Sequence, residues 1–220
     1  MLVKRVLIIV AVVALAAAGY WFLWPKADVV AIVNGQAISR TELAARLEDV
    51  KLQYSMYGME LTAAMEAELA TEILDDLIDE ALLLQGAKAA GVEVSEAEIE
   101  DYYELLVASY GGEAAFLALL AETNNTTETI KVSIGQHMTI QQYERSYIEA
   151  NVPPELLVIT EEEILELYAY YTMFIEDIPP LAEVSHHLEQ ELYEEKVAEL
   201  DILRNLLQQL RAEATIEIRL

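Results

Sequence analysis

The tail Thr215-Ile216-Glu217-Ile218-Arg219-Leu220 alternates apolar and polar residues with period two, which puts Ile216, Ile218 and Leu220 on one face of a β-strand. A lone strand leaves its backbone N–H and C=O groups unpaired, so this one must find a partner elsewhere in the chain. The other strong strand signal lies near the front. Val29 to Val33, then Asn34-Gly35, then Gln36 to Ile38 read as two short strands joined by the type I′ turn that Asn-Gly favours. Between hairpin and tail the apolar spacing is helical. The expected fold is therefore mainly α with one small β-sheet, in which the N-terminal hairpin pairs with the C-terminal strand.

The helices announce themselves through their ends. Ser39-Arg40-Thr41-Glu42 is a capping box, and a helix should run from Arg40 through Leu43, Leu47, Val50 and Tyr54 to about Gly58. From Leu61 to Ala90, Met65, Leu69, Ile73, Leu77, Ile78, Ala81 and Leu82 recur every three or four residues, and Gly91 suits a C-terminal cap. Ser95-Glu96-Ala97-Glu98 opens a third helix that ends near Gly111-Gly112, and Glu113 to Ala121 forms a short fourth. Asn124 and Asn125 make a turn before a helix from Thr126 to about Ala150, with Ile130, Ile134, Met138 and Tyr147 as candidates for burial. Pro153-Pro154 stop it, and Thr160-Glu161-Glu162-Glu163 caps the next. After Pro179-Pro180, the repeat Val184, Leu188, Leu192, Leu200, Leu203, Leu207 and Leu210 predicts one helix of about 33 residues, roughly 50 Å long.

Ahead of the hairpin, Lys4 and Arg5 precede an uncharged apolar stretch from Val6 to Trp24. As a helix it would span about 28 Å, close to the roughly 30 Å of a bilayer core. Tyr20, Trp21 and Trp24 suit the far interface, and the two cations suit the cytoplasmic side. Residues 1–27 are read as a signal anchor and residues 28–220 as one exported domain. The alternative is a cleaved signal peptide with Ala16-Ala17-Ala18 as its small-residue site, and it exports the same domain.

Charge and cysteine content narrow the function. Thirty-nine acidic against 13 basic residues give a formal charge of -26, which repels phosphate backbones, so nucleic acid is excluded as a partner. With no cysteine there is no thiol nucleophile, disulfide or thiolate metal site. The chain contains no G-x-S-x-G, G-x-x-x-x-G-K, G-x-G-x-x-G or H-E-x-x-H motif, so the common nucleophile, nucleotide and zinc chemistries lack their scaffolds. No cofactor is expected.

The run Val30-Ala31-Ile32-Val33-Asn34-Gly35-Gln36-Ala37-Ile38-Ser39, followed by Ile73-Leu74-Asp75-Asp76-Leu77-Ile78-Asp79-Glu80-Ala81-Leu82-Leu83-Leu84-Gln85, resembles the opening of SurA-like chaperones. Ala87 to Ser95, Ile159-Thr160-Glu161-Glu162-Glu163-Ile164 and Pro180-Leu181-Ala182-Glu183-Val184 resemble later landmarks of the same family, in the same order. The resemblance implies a SurA N-terminal or trigger-factor C-terminal type of helical chaperone domain, located outside the cytoplasm. Relatives such as PrsA carry a parvulin-type prolyl isomerase domain where this chain has only the few residues between Tyr171 and Pro179. The resemblance therefore implies a chaperone without the isomerase, and no enzyme.

A surface that accepts many unfolded chains needs adaptable apolar groups, and Tyr and Met supply them. Tyr54, Met56, Tyr57 and Met59 cluster at a predicted helix end, where ordinary packing is the competing reading. Tyr102, Tyr103 and Tyr110 form a second cluster, and Tyr168, Tyr170, Tyr171, Met173 and Phe174 a third. Adjacent tyrosines on a helix cannot all face one core, so some of each cluster should face solvent. Tyr168, Tyr171, Met173 and Phe174 are taken as the binding members of the third. Asp75, Asp76, Asp79 and Glu80 read as a solvated helix face rather than as paired catalytic carboxylates. Glu183, His187 and Glu191 share a face at i, i+4 spacing that could hold a divalent metal, but a wet, charged face explains them more simply. His186 points elsewhere and His137 stands alone. The Asn124 and Asn125 acceptor sequences read as a polar turn rather than as glycan sites.

The sequence thus points to an ATP-independent holdase at the outer face of the membrane, with unfolded or nascent exported proteins as partners. The alternative is a dedicated, membrane-anchored assembly partner of a single protein. Whether the apolar surface forms an open groove or a homodimer interface stays open at this level.

Overall fold

The computed structural model describes residues 28–123, 125–175 and 177–219. The predicted span Val6 to Trp24, the site Ala16-Ala17-Ala18 and the residue Asn124 lie outside them. Strands β1 (Val29–Val33) and β2 (Gln36–Ser39) are followed by α1 (Arg40–Met56), α2 (Ala63–Ala89), α3 (Glu96–Ser109), α4 (Glu113–Glu122) and α5 (Thr127–Asn151). A 3₁₀ turn at Pro154–Leu156 leads to α6 (Glu161–Thr172), α7 (Leu181–Glu199), α8 (Ile202–Glu213) and β3 (Ile216–Ile218). Two compact units result. Among the described residues, one contains 28–78 together with 215–219, and the other lies within Asp79–Ala214.

The first unit is built on an antiparallel sheet in the order β2-β1-β3. Asn34 and Gly35 both have positive φ, 51° and 86°, as a type I′ turn requires. Asn34 also fixes the third strand: its N–H donates to Thr215 O at 2.9 Å, and its Oδ1 accepts from Thr215 N–H at 2.8 Å. In this register Val33 faces Ile216 and Ala31 faces Ile218, so the tail finds the partner its alternation demands. All five β1 residues are buried, as befits a central strand covered on both faces. α1 starts where predicted, with Ser39 Oγ accepting from Glu42 N–H at 3.0 Å. It buries Leu43 and half-buries Leu47, Val50 and Tyr54, the predicted stripe.

Helix α2 buries more residues than any other described helix, including Leu74, Leu77, Ile78, Leu82 and Ala87. Met65, expected in the same stripe, is exposed instead. Helical spacing identifies a face, but only a neighbouring element can cover it. At the far end Val92 N–H donates to Ala87 O and Gly91 N–H to Lys88 O, a Schellman closure with Gly91 at φ 75°.

In the second unit α5 packs on α3 and α8, and α7 on α6 and α8. The predicted 33-residue helix is in fact two, α7 and α8, separated at Leu200-Asp201. Asp201 adopts a left-handed conformation (φ 52°, ψ 19°), which aspartate tolerates better than most residues. Past the break α8 buries Leu206, and its Arg211 Nε pairs with Asp79 Oδ1 on α2. Asp79, read as part of a solvated face, is thus a structural ion-pair partner.

Candidate functional site

The three predicted aromatic clusters form separate surfaces. At the end of α1, Gly58 N–H donates to Ser55 O and Met59 N–H to Tyr54 O, which turns the chain sharply. Lys51, bonded to Glu48 and 3.7 Å from Glu66, ties this end to the first turns of α2. Met56 and Tyr57 then stand 80% and 74% exposed, Met59 is exposed beside them, and Tyr54 is half-buried. An apolar surface left this open on a folded unit is the kind that marks interaction sites.

The second cluster is partly internal. Phe116 of α4 is buried, with Tyr103 5.7 Å away edge-on and Tyr110 at 5.5 Å. Lys131 sits 4.6 Å over the Tyr103 ring and pairs with Glu100. Tyr103 is thereby held by packing, while Tyr102, Tyr110 and Leu117 remain exposed.

The third cluster divides in the same way. Ile164, Leu167, Tyr168 and Tyr171 lie at helical spacing, half-buried on the α7 side of α6. Tyr168 Oη donates to Pro179 O at 3.0 Å and Tyr171 Oη to Glu191 Oε1 at 2.6 Å, a bond that raises the tyrosine pKa. Met173 and Phe174 are 72% and 71% exposed, with Tyr170 5.1 Å from Phe174. Tyr170, outside the binding set expected from the sequence, is exposed as well. Its place opposite the 164-167-168-171 stripe was the available signal.

A cleft that no cluster predicted lies between α5, the segment 157–159 and α7, with a volume of about 1080 Å³. Ile148 and Val197 form its floor, with Leu157, Tyr193 and Leu203 packed on them. Lys196 holds one wall in place, donating to Val158 O at 2.7 Å and pairing with Glu163 at 2.7 Å. That bond, together with the capping hydrogen bonds from Thr160, holds the Glu163 carboxyl down to about 2. Burial pushes the Glu144 carboxyl on the rim up, and nearby His137 opposes this. Val158 stands exposed at the mouth.

Among the described residues no group of three or more His, Cys, Asp or Glu is arranged to hold a metal ion, and Glu191 is engaged by Tyr171. Nor is any single described helix long and apolar enough to cross a membrane. These surfaces expose apolar groups of the kind that mark interaction sites.

Comparison with known proteins adds to this geometry. The profile of the SurA-like N-terminal domain matches residues 1–144. Chaperone SurA of Saccharophagus degradans is 29% identical over 142 residues, 64% of this chain and 31% of that protein. Chaperone SurA of Legionella pneumophila is 38% identical over 81 residues, 37% of this chain and 18% of that protein. A solved SurA-like chaperone structure from Campylobacter jejuni, 12% identical, covers 87% of this chain and 99% of its own at a TM-score of 0.43. The chain spans less than a third of the length of either of these Chaperone SurA relatives.

Proposed function

This chain belongs to the family of SurA-like N-terminal domains, and from that premise we propose that it is an ATP-independent holdase for unfolded exported polypeptides. The observation that carries the reading is the set of open Tyr, Met and Phe surfaces on a strongly acidic chain, above all Met56, Tyr57, Met173 and Phe174. Flexible thioethers and amphipathic rings grip apolar segments without demanding one sequence. A charge of -26 keeps the loaded protein soluble. Lys4, Arg5 and the apolar stretch from Val6 to Trp24 support a tether that holds the rest of the chain at the outer face of the membrane. The reading assigns no catalytic step: client segments bind weakly and leave unchanged.

The test uses the full chain in nanodiscs and several unrelated, chemically unfolded exported proteins, with light scattering as the readout. Suppression of aggregation across clients is the expected result, and Met56→Ser/Tyr57→Ser/Met173→Ser/Phe174→Ser should weaken it severalfold without unfolding the protein. Suppression confined to one client would replace the holdase with a dedicated assembly partner. No suppression of any client would overturn the chaperone reading.

A further inference from the structure

The cleft between α5 and α7 differs from the three aromatic patches in its charge. Glu144, Glu149, Glu189 and Glu194 stand around its apolar floor. Asp201, also on the rim, is neutralised by Arg204 at 2.7 Å, which leaves Arg145 as the one uncommitted Lys or Arg lining the cleft. Glu144, Glu149 and Glu189 have no ion pair among the described residues. Glu144 is moreover half-buried, so it bears a desolvation cost that His137 offsets only in part and that an incoming cation would offset further. An apolar floor with four carboxylates above it complements one kind of segment: apolar side chains next to lysine or arginine.

We propose that this cleft binds client segments in which a short apolar run is flanked by basic residues, the run lying on Ile148, Leu157 and Val197 and the cations meeting Glu144, Glu149 and Glu189. The assignment rests on the holdase reading and gives it a substrate preference. Apolar contact supplies the affinity, and the carboxylates select among clients and speed their encounter. Clients rich in acidic residues would be turned away here and left to the aromatic patches.

The experiment measures fluorescence anisotropy of labelled peptides sharing one apolar centre and flanked by Lys, Ser or Glu, with the full chain in zwitterionic nanodiscs. At low salt the Lys peptide should bind about tenfold tighter than the Ser peptide, with the Glu peptide weakest, and the gap should close at about 300 mM salt. Glu144→Gln/Glu149→Gln/Glu189→Gln should abolish the preference. Glu60→Gln/Glu93→Gln/Glu122→Gln, which removes the same charge from exposed positions outside the cleft, should keep it. Five of the six positions are exposed and Glu144 is half-buried, and circular dichroism checks that each variant folds. Equal binding of Lys and Glu peptides, or equal loss in both triple variants, overturns the cleft assignment. If aggregation is still suppressed in that case, the holdase reading stands alone. If no peptide binds and no aggregation is suppressed, both fall.

Discussion

Helix α2 brings Leu74, Ile78 and Leu82 to 2%, 1% and 2% exposure, whereas α6, with Ile164, Leu165, Leu167 and Tyr168 at similar spacing, contains no buried residue. The two helices are held by different forces. Burial fixes α2, at about 25 cal/mol for each Å² of apolar surface removed from water. α6 is fixed at its ends and edges: the Thr160–Glu163 capping box, the Glu163–Lys196 pair, and the bonds from Tyr168 to Pro179 and Tyr171 to Glu191. Polar ties of this kind each contribute little, but they set a helix in place without covering its apolar groups. The difference shows how one chain keeps a stable core and a sticky surface: the side chains that stabilise are not the ones left free to bind.

The sharpest way to break this contrast is to truncate one leucine in each helix. Leu82→Ala should cost about 2–5 kcal/mol in urea unfolding, and Leu165→Ala, half-exposed, within about 0.5 kcal/mol. Equal losses would mean that α6 carries core energy after all. A smaller effect tests how tightly α2 is packed. A Cβ on Gly86 would lie 2.8 Å from Tyr143 Oη and 2.9 Å from Cε1, within reach of a half-buried ring. The clash, about 1–3 kcal/mol, should outweigh the roughly 1 kcal/mol gained by replacing a helical glycine, so Gly86→Ala lowers the unfolding midpoint. A raised midpoint would show the ring free to move aside.

The smallest effect belongs to α6. Glu163 titrates at about 2 in the fold against an ordinary 4.5. Because its folded pKa is depressed, its stabilising contribution is present above about 4.5 and is lost as pH falls through about 2. Glu163→Gln should therefore be slightly less stable than the parent at neutral pH, and the two unfolding curves should converge near pH 2. A gap that persists there would assign the loss to shape rather than charge.

Much of the fold was legible because its signals are local. Asn34-Gly35 specifies its turn through φ, Ser95 and Thr160 cap their helices through bonds to residues three places on, and the tail's alternation requires a sheet. Other features were out of reach of local spacing. Tyr147 was expected in the core, yet the next residue, Ile148, is the buried one, and Asp201 breaks a helix whose leucine repeat runs straight through it. In both places the packing of α8 on α5 and α7, and of Val197 beside Ile148, overrides what the repeat alone suggests. The aromatic clusters were visible as clusters, but their division was not. Whether Tyr103 or Tyr110, Tyr171 or Tyr170, stays open depends on Phe116, Lys131 and Glu191, which lie 13 to 28 residues away from Tyr103 and 20 from Tyr171.

By itself the sequence determined the element types, most of their ends, the turn that starts the sheet and the acidic character of the whole, since each follows from hydrogen bonds and sterics within a few residues or from a simple sum of charges. Only the tertiary structure decided which apolar faces are covered, where the long helix breaks, and that Glu144, Leu157, Glu189 and Val197 surround one cleft. Those outcomes depend on contacts between segments dozens of residues apart, where a side chain's exposure is set by what packs against it rather than by its neighbours in the chain.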